Sequence, residues 1–164
     1  MMKEINELQS TINNPKMAQI LIVDDEEQIR RMLTRLITRH GYACTLAADA
    51  AEARKCLERQ SFDLVLCDVN MPGESGVDLA RHIDSTYEDT AVIMATGVDD
   101  PVVADSAIEA GIYGYMIKPL GVNEVLINIR NSLRRRELEI ANRRYRRDLE
   151  QMVEERTASL RRAM

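Results

Sequence analysis

The sequence predicts an α/β fold: a doubly wound, five-stranded parallel sheet with helices on both faces and a last helix that outruns the domain. Three observations carry that expectation. Short apolar runs of strand length alternate five times with longer stretches of helical periodicity, the pattern of parallel strands joined by right-handed helical crossovers. Two of the runs, QILIV at 19–23, apolar from Ile20 on, and LVLC at 64–67, are continuous apolar stretches, as strands buried on both faces are. Four of the runs end in polar residues, at Asp24 and Asp25, at Asp68, at Thr96 and at Lys118. In open parallel sheets, ligands bind at the carboxyl ends of the strands.

Taken in order, residues 1–17 are polar, and Asn13, Asn14 and Pro15 break any helix begun earlier, so a loosely ordered extension is expected. Gln19 to Val23 forms the first strand. Ile29, Met32, Leu33, Leu36 and Ile37 then recur at helical spacing up to Arg39, and Gly41 stops the helix. Tyr42 to Ala47 is less apolar and suits a sheet edge. Asp49 and Glu52 form a capping box that opens a second helix, with Ala53 and Leu57 inward. Asp63 to Cys67 is the central strand, closed by Asp68 and a turn through Asn70, Pro72 and Gly73. Ser75 caps the third helix, in which Leu79, Ala80 and Ile83 are apolar. Thr90 to Ala95 is the fourth strand. Asp100-Pro101 places a good N-cap before a proline at the first helical position, and that helix stops at Gly111. Tyr113 to Ile117 is the fifth strand. From about Val122 the helical pattern meets no Gly or Pro before the last residue. The domain is expected over 18–133, with a helical linker or coiled coil over 134–164.

Composition narrows the function. The 164 residues hold one Phe, five Tyr and no Trp, so aliphatic residues, Ala and Met must fill the core. A net charge of −5 gives no general case for nucleic acid or an anionic membrane as partner. Cys44, Cys56 and Cys67 are an odd set in apolar segments without metal-ligand spacing, which points to small core residues in a reducing compartment. No signal-peptide core and no membrane-length apolar run is visible, so a cytoplasmic protein is expected.

Three carboxylates meeting in one crevice would repel unless a cation neutralised them, so the strand ends predict a hard divalent ion with oxygen ligands, of which Mg²⁺ is the natural choice. Lys118 supplies a point positive charge and Thr96 a hydroxyl, both suited to phosphoryl oxygens, and Gly97 leaves room beside them. These groups form a phosphoryl-transfer site with Asp68 as carboxylate nucleophile; a carboxylate ionised at neutral pH needs no general base. Each part has a plainer explanation, since Asp24 and Asp25 could cap a helix and Lys118 could be a solvated charge. The coincidence of all of them on strand ends favours the site.

ILIVDDE at 20–26, DLVLCDVNMPGESG at 63–76, VIMATG at 92–97 and GYMIKPL at 114–120 give the chain from Gln19 to about Leu133 a resemblance to the receiver domain of bacterial two-component response regulators. That resemblance implies a flavodoxin-like sheet in the order 2-1-3-4-5. It implies that Asp68 accepts a phosphoryl group from the phosphohistidine of a sensor histidine kinase or phosphotransfer protein. Asp25, Asp68 and the backbone carbonyl of Asn70 would bind Mg²⁺, with Asp24 helping through water. Thr96 and Lys118 would contact the phosphoryl group, Pro119 would follow a cis peptide bond, and Thr96 with Tyr115 would form the switch. Asn70 and Val98 occupy the positions that tune dephosphorylation, and an apolar Val98 implies slow loss of the phosphoryl group.

The last helix runs well past the length the family normally shows. Asn142, Leu149, Arg156 and Ala163 alternate with Leu138, Tyr145, Met152 and Ser159 in a heptad seam that suggests a parallel homodimer. The eight arginines between Arg130 and Arg147 are expected to be a solvated face with pairs such as Glu139–Arg143, not a nucleic-acid surface. VEERTASL at 153–160 resembles signalling helices that join receivers to enzymatic outputs, and no output motif occurs in this chain, so an output domain absent from it is expected. Two rivals stand against this account. An aspartyl phosphatase of haloacid-dehalogenase type would need a second Asp where Asn70 stands, and its nucleophile would follow the first strand. A pseudo-receiver scaffold would have no use for three adjacent carboxylates.

Overall fold

The computed structural model describes residues 17–163; the expected polar extension over 1–17 lies, but for Met17, outside them. Five strands, β1 (Gln19–Val23), β2 (Ala43–Ala47), β3 (Leu64–Asp68), β4 (Ala91–Thr96) and β5 (Gly114–Ile117), alternate with five helices. These are α1 (Glu27–Arg39), α2 (Ala50–Arg59), α3 (Gly76–Thr86), α4 (Pro101–Glu109) and α5 (Val122–Ala163). Every strand pair is parallel and the order is β2-β1-β3-β4-β5. The chain therefore reverses its winding between β1 and β3, and a crevice opens at their carboxyl ends.

Strand alternation sorts the core into two layers. Leu21, Val23, Val65, Cys67, Val92 and Met94 face one way and pack with Leu57, Leu79 and Ile83 of α2 and α3. Ile20, Ile22, Leu64, Leu66 and Ile93 face the other way, onto Leu33 and Ile37 of α1 and Val125 and Ile129 of α5. β2 is the more exposed edge, with Leu46 turned to solvent. Local signals close the helices as the sequence implies. Asp49 accepts from the Glu52 amide while the Glu52 carboxylate takes the Ala48 amide, and Ser75 and Asp100 cap α3 and α4. Gly41 and Gly111 take positive φ where α1 and α4 end.

Three expectations need correction. Met32 is 44% exposed, because it sits about 100° round α1 from Leu33, off the buried stripe. Cys67 is a core residue, but Cys44 and Cys56 are half-buried. β4 reaches one residue further than expected, to Thr96, because that residue still pairs with Ile117 of β5.

α5 is unbroken over 42 residues, roughly 63 Å at 1.5 Å per residue. Its first turns bury Val125, Leu126, Ile129 and Ser132, whereas Leu138, Tyr145, Leu149, Met152, Val153 and Leu160 are exposed. Among the described residues no helix is long and apolar enough to cross a membrane.

Candidate phosphoryl-transfer site

β1, β3, β4 and β5 all end at the crevice, and each delivers a polar group to it. Asp24 follows β1, and its backbone amide is held to the Ala47 carbonyl of β2 at 3.2 Å. Its Oδ1 accepts from the Glu26 amide at 2.9 Å, and Oδ2 accepts from Lys118 Nζ at 2.9 Å. Asp24 is therefore not the cap of α1; the N-cap is Glu26, whose side chain makes no capping bond. Asp68, the last residue of β3, lies with Oδ2 3.4 Å from Lys118 Nζ and Oδ1 3.3 Å from the Asn70 amide. One oxygen from each of Asp24, Asp25 and Asp68 lies within 4.8 Å of the others. Thr96 is buried at the end of β4, and its Oγ1 accepts from the Val98 amide at 3.2 Å.

The electrostatics follow from this crowding. Burial, then the charge of Asp24, push the Asp68 carboxyl up from 3.8 to about 6, although Lys118 and the Asn70 amide pull it down. Burial alone would lower the Lys118 ammonium, but its bond to Asp24 and the charges of Asp24 and Asp68 outweigh that and raise it. An excess of negative charge remains around one half-buried lysine. All the ligand atoms on offer are hard oxygens, so the donor set fits Mg²⁺.

The remaining expected residues fall around this centre. The Lys118–Pro119 peptide is cis. Val98 lies 54% exposed just beyond Thr96. Tyr115 of β5 packs against the layer under α2, α3 and α4, and its hydroxyl is buried without a hydrogen-bond partner among the described residues.

The family model for the response regulator receiver domain matches residues 20–130, from β1 into α5. This chain belongs to that family. Among curated relatives, the receiver is 38% identical over 116 residues to protein PetR of Rhodobacter capsulatus, covering 71% of this chain and 48% of PetR. To response regulator MprA of Mycobacterium ulcerans it is 33% identical over 120 residues, covering 73% of this chain and 52% of MprA. The chain thus spans about half the length of these relatives. Among solved structures it superimposes on a CheY-like receiver domain protein of Methanospirillum hungatei with a TM-score of 0.73 at 28% identity, covering 76% of this chain and 99% of the other. The signal receiver domain of an HD domain-containing protein from Pseudomonas fluorescens gives 0.72 at 32% identity, covering 74% and 98%.

Two supports of the receiver's site are not evident from residue types alone. A Cβ on Gly76 would stand 2.0 Å from the Asp68 carbonyl oxygen and 2.9 Å from Met94 Cε. The start of α3 can therefore pass under the loop that follows Asp68 only as glycine, and the Gly76 amide bonds the Val69 carbonyl at 2.9 Å. Arg54 of α2 grips Glu74 of the same loop through two hydrogen bonds, at 2.9 and 2.5 Å. A glycine in a turn is a visible signal; which backbone it passes is not.

The expected Glu139–Arg143 pair does not form. Glu139 pairs with Arg135 and accepts from the Tyr113 hydroxyl, while Arg143 reaches Glu88 and Asp89 in the α3–β4 loop. Arg136 and Arg143 are half-buried against the receiver body, while the other six arginines between Arg130 and Arg147 are exposed, as a solvated face requires.

Proposed function

We propose that this receiver is a phosphorylation-controlled switch in which Asp68 accepts the phosphoryl group. The observation that carries the proposal is the Asp24, Asp25 and Asp68 cluster shared with Lys118 at the strand ends. A carboxylate oxygen of Asp68 attacks the phosphorus of a phosphohistidine on a sensor histidine kinase or phosphotransfer protein; the P–N bond breaks and the imidazole leaves. Asp25, Asp68 and the Asn70 carbonyl would hold Mg²⁺, with Asp24 helping through water. When bound, the ion neutralises charge on the carboxylates and on the phosphoryl oxygens. Lys118 positions one phosphoryl oxygen and Thr96 another, and the apolar Val98 beside them offers no group to orient an attacking water, so the phosphoryl group is lost slowly.

Thr96 and Tyr115 relay the event. When the Thr96 hydroxyl turns to the phosphoryl group, the Tyr115 side chain repacks and alters the surface of α4, β5 and α5. The buried, unpartnered Tyr115 hydroxyl supports this, because an unsatisfied buried donor costs about 1–3 kcal/mol and marks a side chain with a second position to gain. Phosphorylation then biases two packings that lie close in energy.

Residues 18–133 form the receiver unit and 134–164 the helical linker. The exposed heptad stripe of α5 pairs with a second copy, and the helix passes the signal to an output domain beyond this chain. That the similar Pseudomonas fluorescens receiver comes from an HD domain-containing protein supports such an output. Intact mass after incubation with acetyl phosphate tests the proposal. One phosphoryl group should be gained with Mg²⁺, and none in EDTA or in Asp68→Ala; no gain from this donor or from a phosphohistidine donor would leave a scaffold.

A further inference from the structure

α5 keeps one face toward the receiver throughout its first seven turns, but the chemistry of that face changes. Val125, Ile129 and Ser132 are buried against the sheet, and the next residues on the same face are Arg136, Arg143 and Arg147. The change falls where the helix runs off the end of the sheet and meets the α3–β4 loop. There the apolar layer gives way to carboxylates.

Arg136 binds Asp63 Oδ1 at 3.1 Å and donates to the Asp89 carbonyl. Asp63 is itself fixed, because its Oδ2 accepts from the Gln19 amide at 2.7 Å at the root of β1. Arg143 holds Asp89 at 2.8 Å, and both the carboxylate and the carbonyl of Glu88 at 3.2 Å. Arg147 adds a second contact to Glu88 at 3.2 Å. On the flank of the same helix, the Arg135 guanidinium lies 4.3 Å over the Tyr113 ring, whose hydroxyl bonds Glu139. Isolated surface pairs contribute little, but a network of forked arginine contacts to both side chains and backbone fixes a geometry. Arg136 and Arg143 are indeed largely shielded, with 19% and 28% of their side chains exposed.

We propose that Arg136, Arg143 and Arg147, gripping Asp63, Glu88 and Asp89, clamp the extension of α5 to the receiver and set the direction in which the helix leaves it. As far as Arg147 the helix and the receiver move as one body, and α5 acts as a lever. Leu138, Tyr145, Leu149 and Met152 lie roughly 160–220° round the axis from Arg136. The clamp thus leaves the exposed apolar stripe facing away from the receiver body. The pairing half of this inference rests on the homodimer proposed above; the clamp does not.

The test measures the spin-label distance between cysteines placed at Glu58 and Glu150, with Cys44 and Cys56 replaced by alanine and the labelled chain diluted into an excess of unlabelled chain. A single narrow distance is expected. It should be lost in Glu88→Lys/Asp89→Lys, lost in Arg143→Glu/Arg147→Glu, and recovered when all four changes are combined. High salt should also broaden the distribution of the parent chain, since the screening length falls to about 3 Å at 1 M. A narrow distance in both half-reversed chains, or no recovery in the combined one, would overturn the clamp. Phosphoryl uptake by the same chains should be unchanged, so failure of the receiver reading is seen separately. Leu149→Asp should abolish pairing on sizing while the distance stays narrow, which separates the clamp from the dimer.

Discussion

Replacing Asp68 by Asn should make the metal-free receiver more stable. Asp68 is only 4% exposed and its carboxyl shares the crevice with Asp24, so its folded-state value rises from 3.8 to about 6. Two units at 1.36 kcal/mol each put the cost of holding it ionised at about 3 kcal/mol. The amide variant keeps the shape and removes that cost, although Lys118 loses one of its two carboxylate partners. A net gain of about 1–3 kcal/mol is therefore expected at neutral pH. The sign with pH follows from a folded value above the unfolded one. The penalty is complete above about pH 6, shrinks as pH falls, and vanishes below about 3.8, where the group is protonated in both states. Urea unfolding in EDTA, compared between parent and Asp68→Asn at steps between neutral pH and about pH 4, measures the gap directly. Added Mg²⁺ should close it from the other side by stabilising the parent, by about 2.7 kcal/mol at a hundredfold excess over Kd. A variant less stable than the parent at neutral pH, or a gap that ignores pH, would refute the electrostatic account of this crevice.

Three other perturbations have clear signs. Lys118→Met leaves Asp24, 1% exposed, without its cation and should cost about 3 kcal/mol on urea unfolding, with loss of phosphoryl uptake by mass. Gly76→Ala forces a methyl onto the Asp68 carbonyl and should cost about 1–3 kcal/mol or more; uptake should slow because the phosphoacceptor loop must shift, whereas Gly97→Ala, with open space at that Cβ, should fold normally on the same assay. Tyr115→Phe deletes a buried hydroxyl without a partner and should stabilise the unphosphorylated receiver by up to about 1 kcal/mol, while reducing any change in sizing on phosphorylation.

Much of this molecule is legible in the sequence because burial leaves a periodic trace. Ile20 to Val23 and Leu64 to Cys67 are apolar on both faces since helices cover both, and their alternation assigns each residue to a layer. The site is legible for a related reason: a parallel sheet converts a polar residue at each strand end into a cluster in space. What periodicity does not record is the partner of a long charged side chain. Arg143 and Glu139 are at ideal helical spacing, yet Arg143 turns to Glu88 and Asp89, residues in a loop more than fifty positions away, and Glu139 to Tyr113. Met32 fits a helical repeat as an apolar residue but falls outside the buried stripe. Gly76 looks like one more turn glycine until the Asp68 carbonyl is found where its Cβ would be.

The position of the phosphoryl group decides whether Asp68 is the acceptor. The receiver, treated with acetyl phosphate and Mg²⁺, would be reduced with borohydride, which converts an aspartyl phosphate to homoserine, and then digested for peptide mass analysis. Homoserine is expected at position 68 alone, and nowhere when Mg²⁺ is chelated. Homoserine at Asp24 or Asp25, or none at any carboxylate of the cluster while phosphate is retained elsewhere, would contradict that assignment.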